Sequence, residues 1–248
     1  MKKLFLSLAV FGFLFAACNR DDNGNGYENG ETRRLPSKKT SVWLNDGVPN
    51  YWHYSFEYDN QNRLVKRIAW GQGWSDTLEF LYQDGNSPVK ILSRAIDNGE
   101  AFQSQREILY VDSLVIINWN DGDWSGSDTL VVNSNMQIVN WPREWGRFEY
   151  NSNGNISRSI PLDWYSIEIS YSNAKSIFRY ANIPGWLMVW VFGVEFPEIG
   201  YMPSEFRRNN QVTATFMYTL DGNWVRTRTS IYPGEAEQTS TFEYINAR

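Results

Sequence analysis

The chain has 248 residues, with 23 lysines and arginines against 28 aspartates and glutamates, one histidine and one cysteine. The acidic balance argues against a nucleic-acid partner, which needs a basic surface, and the cysteine and histidine counts argue against a disulfide framework or a zinc site. Twelve Trp, 14 Tyr and 14 Phe among many Asn, Ser, Thr and Gly favour strands and turns over helices, and a mean hydropathy of −0.49 argues against an integral membrane domain.

At the N-terminus, Lys2 and Lys3 precede an apolar run from Leu4 to Phe15. That run is too short for a bilayer, which needs about 20 residues of helix, and reads as a secretory signal. It ends in Phe15-Ala16-Ala17-Cys18, which resembles the lipobox of bacterial lipoproteins. The resemblance implies cleavage after residue 17, lipidation of Cys18 and attachment to a membrane. Several acyl chains on one cysteine meet the requirement for stable anchoring. Cleavage removes two lysines and no acid, leaving 21 basic against 28 acidic side chains, a net charge of −7. Asp21 and Asp22 resemble the export signal of surface-facing Bacteroidetes lipoproteins, and they equally suit a solvated tether. Residues 18–37 are expected to be a flexible acidic, Gly- and Asn-rich tether, and residues 38–248 a single β domain.

The domain reads as a run of hairpins. Tyr54, Phe56 and Tyr58 alternate with Ser55 and Glu57, Asp59-Asn60-Gln61-Asn62 supplies turn chemistry, and Leu64 to Ile68 returns. Before it, Asn45-Asp46-Gly47 turns between Val42-Trp43-Leu44 and Tyr51-Trp52. After it come Leu78–Tyr82 with Val89–Leu92, then Ile108–Val111 with Leu114–Trp119, the latter apolar on both faces and suited to a central strand. Asn120-Asp121-Gly122-Asp123 turns that strand around. Further units are Leu130–Val132 with Gln137–Trp141, Arg147–Tyr150 with Ile156–Ile160, a start at Ile167–Tyr171, Thr213–Tyr218 with Trp224–Arg228, and a closing strand Thr241–Tyr244. Tyrosines 58, 82, 110, 150, 171, 218 and 244 end the leading strands, an irregular repeat of one supersecondary unit. Such hairpins cannot bury an aromatic face alone and must pair or stack.

Ile183–Val194 departs from this pattern, being almost wholly apolar. Pro184 suits a helix start, and Leu187, Trp190, Val191 and Val194 fall at i, i+3, i+4 and i+7. We read 184–193 as a short buried helix plugging the sheet, although the valines also suit a buried strand. The fold expected is antiparallel all-β: a meander of repeated hairpins in a twisted or partly rolled sheet, with one short helix.

Tyr58-Asp59 with Arg63-Leu64, and Tyr150 with Asn153-Gly154-Asn155-Ile156, are similar to the tyrosine-aspartate repeats of Rhs-type proteins. Met202-Pro203-Ser204-Glu205, Phe216-Met217-Tyr218, Asp221-Gly222-Asn223-Trp224 and Phe242-Glu243-Tyr244, behind a lipobox, resemble a Bacteroidetes lipoprotein family of unknown function. The resemblance implies an exported, β-rich outer-membrane lipoprotein and supplies no catalytic residues.

Chemistry-bearing motifs are sparse. His53 sits between Trp52 and Tyr54 and suits packing, and no Gly-x-Ser-x-Gly elbow presents a nucleophile. Paired acids such as Asp121, Asp123, Glu195 and Glu198 could serve glycoside hydrolysis, but nothing singles out a pair. Asp121-Gly122-Asp123 lacks the other ligands of a calcium loop. No cofactor is expected. Trp70, Trp74, Trp119, Trp124, Trp141 and Trp145 fall near strand ends, where indole faces can stack on sugars or simply pack across strands. The expectation is a non-enzymatic, lipid-anchored protein that binds glycan or peptide through these tryptophans. A structural or lipid-holding role is the competing class, marked by an apolar cavity beneath 184–193.

Overall fold

The structure is a computed structural model that describes residues 27–28, 31–120, 125–142, 146–161, 166–193 and 200–248. The signal segment, Cys18 and most of the tether lie outside the described residues, as do Asp121, Asp123, Glu195 and Glu198.

Strands β1 (Tyr27–Glu28) and β2 (Glu31–Thr32) form a ladder of their own. Sixteen strands follow. They are β3 (Arg34–Asn45), β4 (Val48–Tyr58), β5 (Leu64–Gly71), β6 (Trp74–Tyr82), β7 (Pro88–Asp97), β8 (Glu100–Val111), β9 (Leu114–Asn120) and β10 (Ser125–Val132). Then come β11 (Ile138–Trp141), β12 (Gly146–Tyr150), β13 (Ile156–Ile160), β14 (Ile167–Lys175), helix α1 (Gly185–Phe192), β15 (Tyr201–Arg208), β16 (Gln211–Asp221), β17 (Trp224–Ile231) and β18 (Gln238–Asn246). Each strand from β3 pairs antiparallel with the next, and β18 pairs with β3 from Gln238↔Trp43 to Asn246↔Arg34.

The all-β architecture and the single short helix agree with the sequence reading, but the sheet is not merely twisted or partly rolled. It is a closed barrel, so Leu114–Trp119 is no more central than any other strand. Closure removes both sheet edges, whose free backbone groups would otherwise invite aggregation. The first barrel strand begins at Arg34, with Leu35 buried, four residues before the domain start expected at 38.

The repeat has a local physical form at one end of the barrel. A register shift precedes Tyr58, Tyr82, Tyr150, Tyr171 and Tyr244. Such bulges re-aim a side chain at a barrel rim. The hydroxyls of Tyr82, Tyr110, Tyr150, Tyr171, Tyr218 and Tyr244 donate to the carbonyls of Leu64, Pro88, Ile138, Ile156, Pro203 and Val225. Each tyrosine thus ties its strand to the preceding hairpin. In three units the residue after the strand closes the turn. Asp59 Oδ1 accepts the amides of Gln61 and Arg63, Asn133 Oδ1 those of Asn135 and Gln137, and Asn151 Oδ1 those of Asn153 and Asn155. Burial would raise the Asp59 carboxyl, but the Arg63 side chain and the Arg63 and Gln61 amides overcome it and hold the group below its usual value.

A 16-stranded barrel is too wide for its own wall side chains to fill. Residues 176–192 fill this end instead. The α1 sequence Gly-Trp-Leu-Met-Val-Trp-Val-Phe is apolar all round, as a helix surrounded by protein must be. Gly185 to Val189 are buried whole, so the helix is not oriented by the Leu187/Trp190/Val191/Val194 stripe alone; Val194 lies outside the described residues. The Trp186 amide donates to the Met136 carbonyl, and the Asn182 amide and side chain donate to the Asn62 and Gln61 carbonyls. Asn62 also clasps the C-terminus, exchanging two hydrogen bonds with Arg248.

The two faces of the wall differ sharply. Inward positions carry Phe56, Leu64, Phe80, Ile91, Ile117, Leu130, Phe148, Ile169, Phe216 and Phe242, packed against the plug. Outward positions carry cross-strand or same-strand ion pairs: Lys38–Glu243, Lys66–Glu79, Lys90–Glu107, Arg147–Glu149 and Glu205–Arg207. Between them lie threonines such as Thr219 and Thr227, whose hydroxyls meet at 2.6 Å, and Thr241. A lipid-facing barrel needs an apolar band about 25 Å tall, with each basic residue at its midplane costing roughly 2–4 kcal/mol. The outward face here mixes these ion pairs with exposed apolar side chains such as Trp70, Leu81, Leu109 and Met217.

Removing a rung of the tyrosine ladder should show in chemical denaturation. Tyr82→Phe leaves the Leu64 carbonyl unpaired and should cost about 1 kcal/mol. The Tyr58 hydroxyl is buried without a hydrogen-bond partner among the described residues, so Tyr58→Phe should be neutral or stabilising. Trp186→Ala, which empties the centre of the plug, should cost about 3–5 kcal/mol. The Asp59 contribution is fully present above the usual carboxyl value of 3.8 and is lost as pH falls through the lower folded value. Stability of the wild-type chain should therefore fall more steeply on acidification than that of Asp59→Asn.

Candidate functional site

The expected tryptophan surface is divided by the fold. Trp141 is only 6% exposed and belongs to the core. Trp70 alternates with buried Ala69 and points outward, 36% exposed. Trp74 shares the inward face of β6 with Leu78 and Phe80, and Trp119 shares that of β9 with Val115 and Ile117; both indoles are half-buried. Trp124 and Trp145 lie outside the described residues.

The aromatic feature the structure does assemble is built on β3–β6, at the end away from the plug. On the inward face Trp43 and Trp52 meet edge to face at 5.0 Å, and Trp52 meets Trp74 likewise at 5.9 Å. On the outward face His53 lies parallel to Tyr51 at 6.1 Å and over Trp70 at 5.2 Å. Its Nδ1 is held by the Thr40 hydroxyl at 3.2 Å. Two aromatic ladders thus stand back to back on the same hairpins. Their tips are exposed: Trp52 at 41%, Tyr51 at 50%, and Leu44 and Val48 beside them. Strands β3, β4, β7 and β8 have 10 to 12 residues against 4 or 5 in β11–β13. At about 3.3 Å per residue the wall is some 20 Å longer on this side.

Glycine makes two of these placements possible. A Cβ on Gly71 would lie 2.5 Å from the Trp74 indole nitrogen, and one on Gly126 would lie 2.4 Å from the Trp119 ring. Each indole lies flat across a strand that has no side chain there, shielding the backbone an inserted glycine leaves open.

Charge enters the lumen beside this wall. Arg67 on β5 forms an ion pair with Asp76 on β6, and Arg106 on β8 lies 5.5 Å over the Trp190 ring while donating to the Ser104 hydroxyl. Arg228 is 1% exposed, its guanidinium 5.3 Å over Phe216. Ser41 and Ser240 hydroxyls meet at 2.8 Å across the β3–β18 seam. Among the described residues no three His, Cys, Asp or Glu side chains converge as metal ligands. Among the described residues the arrangement offers aromatic faces, cations and hydroxyls to a ligand.

The sequence reading missed Trp43, Trp52, Tyr51 and His53 as a set, because strand pairing rather than spacing brings them together. It also left Ser93–Glu107 unassigned. There β7 and β8 continue to a turn at Asn98-Gly99, both with positive φ. Asn-Gly between extended runs was the available signal.

No family model matches the chain. No curated protein matches it either. Among solved structures it is similar to a porin-like protein from Bacteroides uniformis (14% identity, TM-score 0.38, covering 85% of this chain and 96% of that one). It is similar also to a porin-like protein from Bacteroides vulgatus (12% identity, TM-score 0.38, covering 85% and 99%).

Substituting Gly126→Ala or Gly71→Ala should lift the overlying indole off its strand. The expected result is a changed near-UV circular dichroism band with the far-UV spectrum intact. An unchanged near-UV band in both variants would mean that neither indole is held by its glycine.

Proposed function

We propose that this chain is a lipid-anchored envelope protein that binds a glycan or peptide, without chemistry, through the aromatic wall on β3–β6. The observation that carries the reading is the double ladder of Trp43, Trp52 and Trp74 inside and Tyr51, His53 and Trp70 outside, exposed at the strand tips. Burying aromatics is favourable, and exposed ones gathered at one place mark recognition surfaces. Polar neighbours such as Asn50 and Ser75 suit a ligand with hydroxyls or amides.

Attachment through lipidated Cys18 fits the ion-paired exterior, which suits a barrel standing in water on a tether rather than spanning a bilayer. The first barrel strand starts at the plug end, so a tether arriving there leaves the aromatic wall facing away from the membrane. The bulge–tyrosine–turn unit supports reading the chain with the Bacteroidetes lipoproteins that its C-terminal motifs resemble.

The test has two parts. Cys18→Ala should move the protein from the membrane fraction to the soluble fraction without detergent; retention in the membrane would sink the lipid anchor. The purified chain should give saturable quenching of tryptophan emission with a member of a glycan or peptide library. Trp52→Ala or Trp74→Ala should weaken it about tenfold, equivalent to about 1.4 kcal/mol, with the unfolding midpoint little changed. Affinity unaltered in both variants would remove the wall from the binding site.

A further inference from the structure

The mouth of the lumen beside the tryptophan ladder is acidic. Asp97, at the end of β7, stands directly across from Trp74 on β6 and from Glu100 on β8, so all three lie on the inward face at one level. Phe102, two residues along β8 on the same face, is 55% exposed. Like charges directly opposite each other in a ladder repel. Among the described residues the Asn98 side-chain amide donates to Asp97 at 3.0 Å, and no ion pair engages Asp97 or Glu100.

The basic side chains of the lumen sit elsewhere. Lys39 and Arg67 line a cavity of about 100 Å³ against Phe178 and Phe192 of the plug, beneath the 184–193 segment. Lys39 lies 4.9 Å over the Tyr54 ring and Arg67 is paired with Asp76. Arg67 faces Leu78, four residues from Trp74 and about 13 Å along the wall. Arg106 is six residues from Glu100, about 20 Å, and Lys39 is four strands from β7, about 19 Å. Each separation exceeds the Debye length of about 8 Å at physiological ionic strength, so these cations do not neutralise the mouth.

The aromatic side of the mouth suits the same charge. Trp43 and Trp52 stand at 75°, and Trp52 and Trp74 at 86°. Rings near right angles leave inside corners lined by a face of each, and the negative face of an indole attracts a cation within about 6 Å of its centroid. Trp74 belongs both to such a corner and to the row that carries Asp97 and Glu100.

We infer that the ligand of the aromatic wall is a peptide that presents a lysine or arginine side chain beside apolar residues. The cation enters the corner of Trp52 and Trp74 and faces Asp97 and Glu100, while its apolar neighbours lie on Phe102 and Val48. This rests on the wall being the binding surface, and adds the charge and class of what it binds. Exposed aliphatic and phenyl side chains around the corner match peptide side chains rather than sugar hydroxyls, and the formal net charge of −5 on the chain draws a cation toward the mouth.

The experiment titrates the purified chain, with tryptophan emission as the readout, against the blocked tripeptide leucyl-lysyl-leucine and its norleucine counterpart, which lacks the ammonium. The lysine peptide should bind saturably, and the norleucine peptide at least tenfold more weakly. Added salt should weaken only the lysine peptide. Asp97→Asn with Glu100→Gln should weaken the lysine peptide at least tenfold and leave the norleucine peptide unchanged, with an unfolding midpoint no lower than that of the wild type, because a repulsive pair is removed. Trp52→Ala should weaken both peptides. Equal binding of the two peptides, unchanged affinity in the double variant, or tighter binding of a glucosamine trimer than of the lysine peptide each overturns the assignment while leaving the wall in place. No saturable quenching by either peptide, or affinity unaltered in Trp52→Ala, removes the wall and this site with it.

Discussion

Closing sixteen strands around an interior too wide for wall side chains to fill is the constraint on which everything else depends. Closure satisfies every strand edge, but it leaves a space that water or protein must occupy. Here protein occupies one end. Residues 176–192 turn inward, and α1 places Trp186, Leu187 and Met188 where no solvent reaches. Because that helix is surrounded on all sides, it tolerates no polar face, which explains a run of apolar residues too short to span a membrane and too long for a strand of this barrel.

The plug end and the far end obey different rules. At the plug end each unit repeats the same local solution: a bulge, a tyrosine whose hydroxyl reaches the previous hairpin, and often an Asp or Asn that closes the turn. Neighbouring turns are also joined directly. The Arg63 guanidinium donates to the Gly85 carbonyl, and the Gln137 amide to that of Gly154. Regularity there is a mechanical requirement, since the turns form the collar that grips the plug and the C-terminus. Strand length is free to vary at the far end, and the longest strands carry the exposed aromatics. A rigid collar with variable tips is the usual division between scaffold and recognition surface.

Polarity follows the same geometry. The alternation of a strand assigns every second residue to the lumen. In this chain those residues are apolar beside the plug and increasingly charged and aromatic beyond it, with Arg67, Asp76 and Arg106 between the two zones. The outward residues form paired charges and threonines. A mean hydropathy cannot separate these cases, because a membrane barrel and a water-facing barrel differ in which face is apolar rather than in how much apolar residue they contain. The ion pairs on β3, β5–β8, β12, β15 and β18 lie on the outward face, beside exposed apolar side chains such as Leu81, Leu109 and Met217.

Much of this was legible in the sequence because it is local. Alternation in Tyr54–Tyr58 and Arg147–Tyr150 marked strands, Asp59 and Asn151 marked turns, the tyrosine spacing marked a repeat, and the composition of 184–193 marked a buried helix. What tertiary structure alone decided depends on partners distant in sequence. Closure rests on β18 meeting β3 across some 200 residues, a pairing no local pattern announces. The expected row of tryptophans dissolved for the same reason. Trp141 and Trp70 look alike in sequence, yet one points into the core and the other away, and register with neighbouring strands makes the difference. The Trp43–Trp52–Trp74 ladder and the Lys39–Arg67 cavity exist only because hydrogen-bonded register and an inserted plug bring together side chains that the chain itself keeps apart.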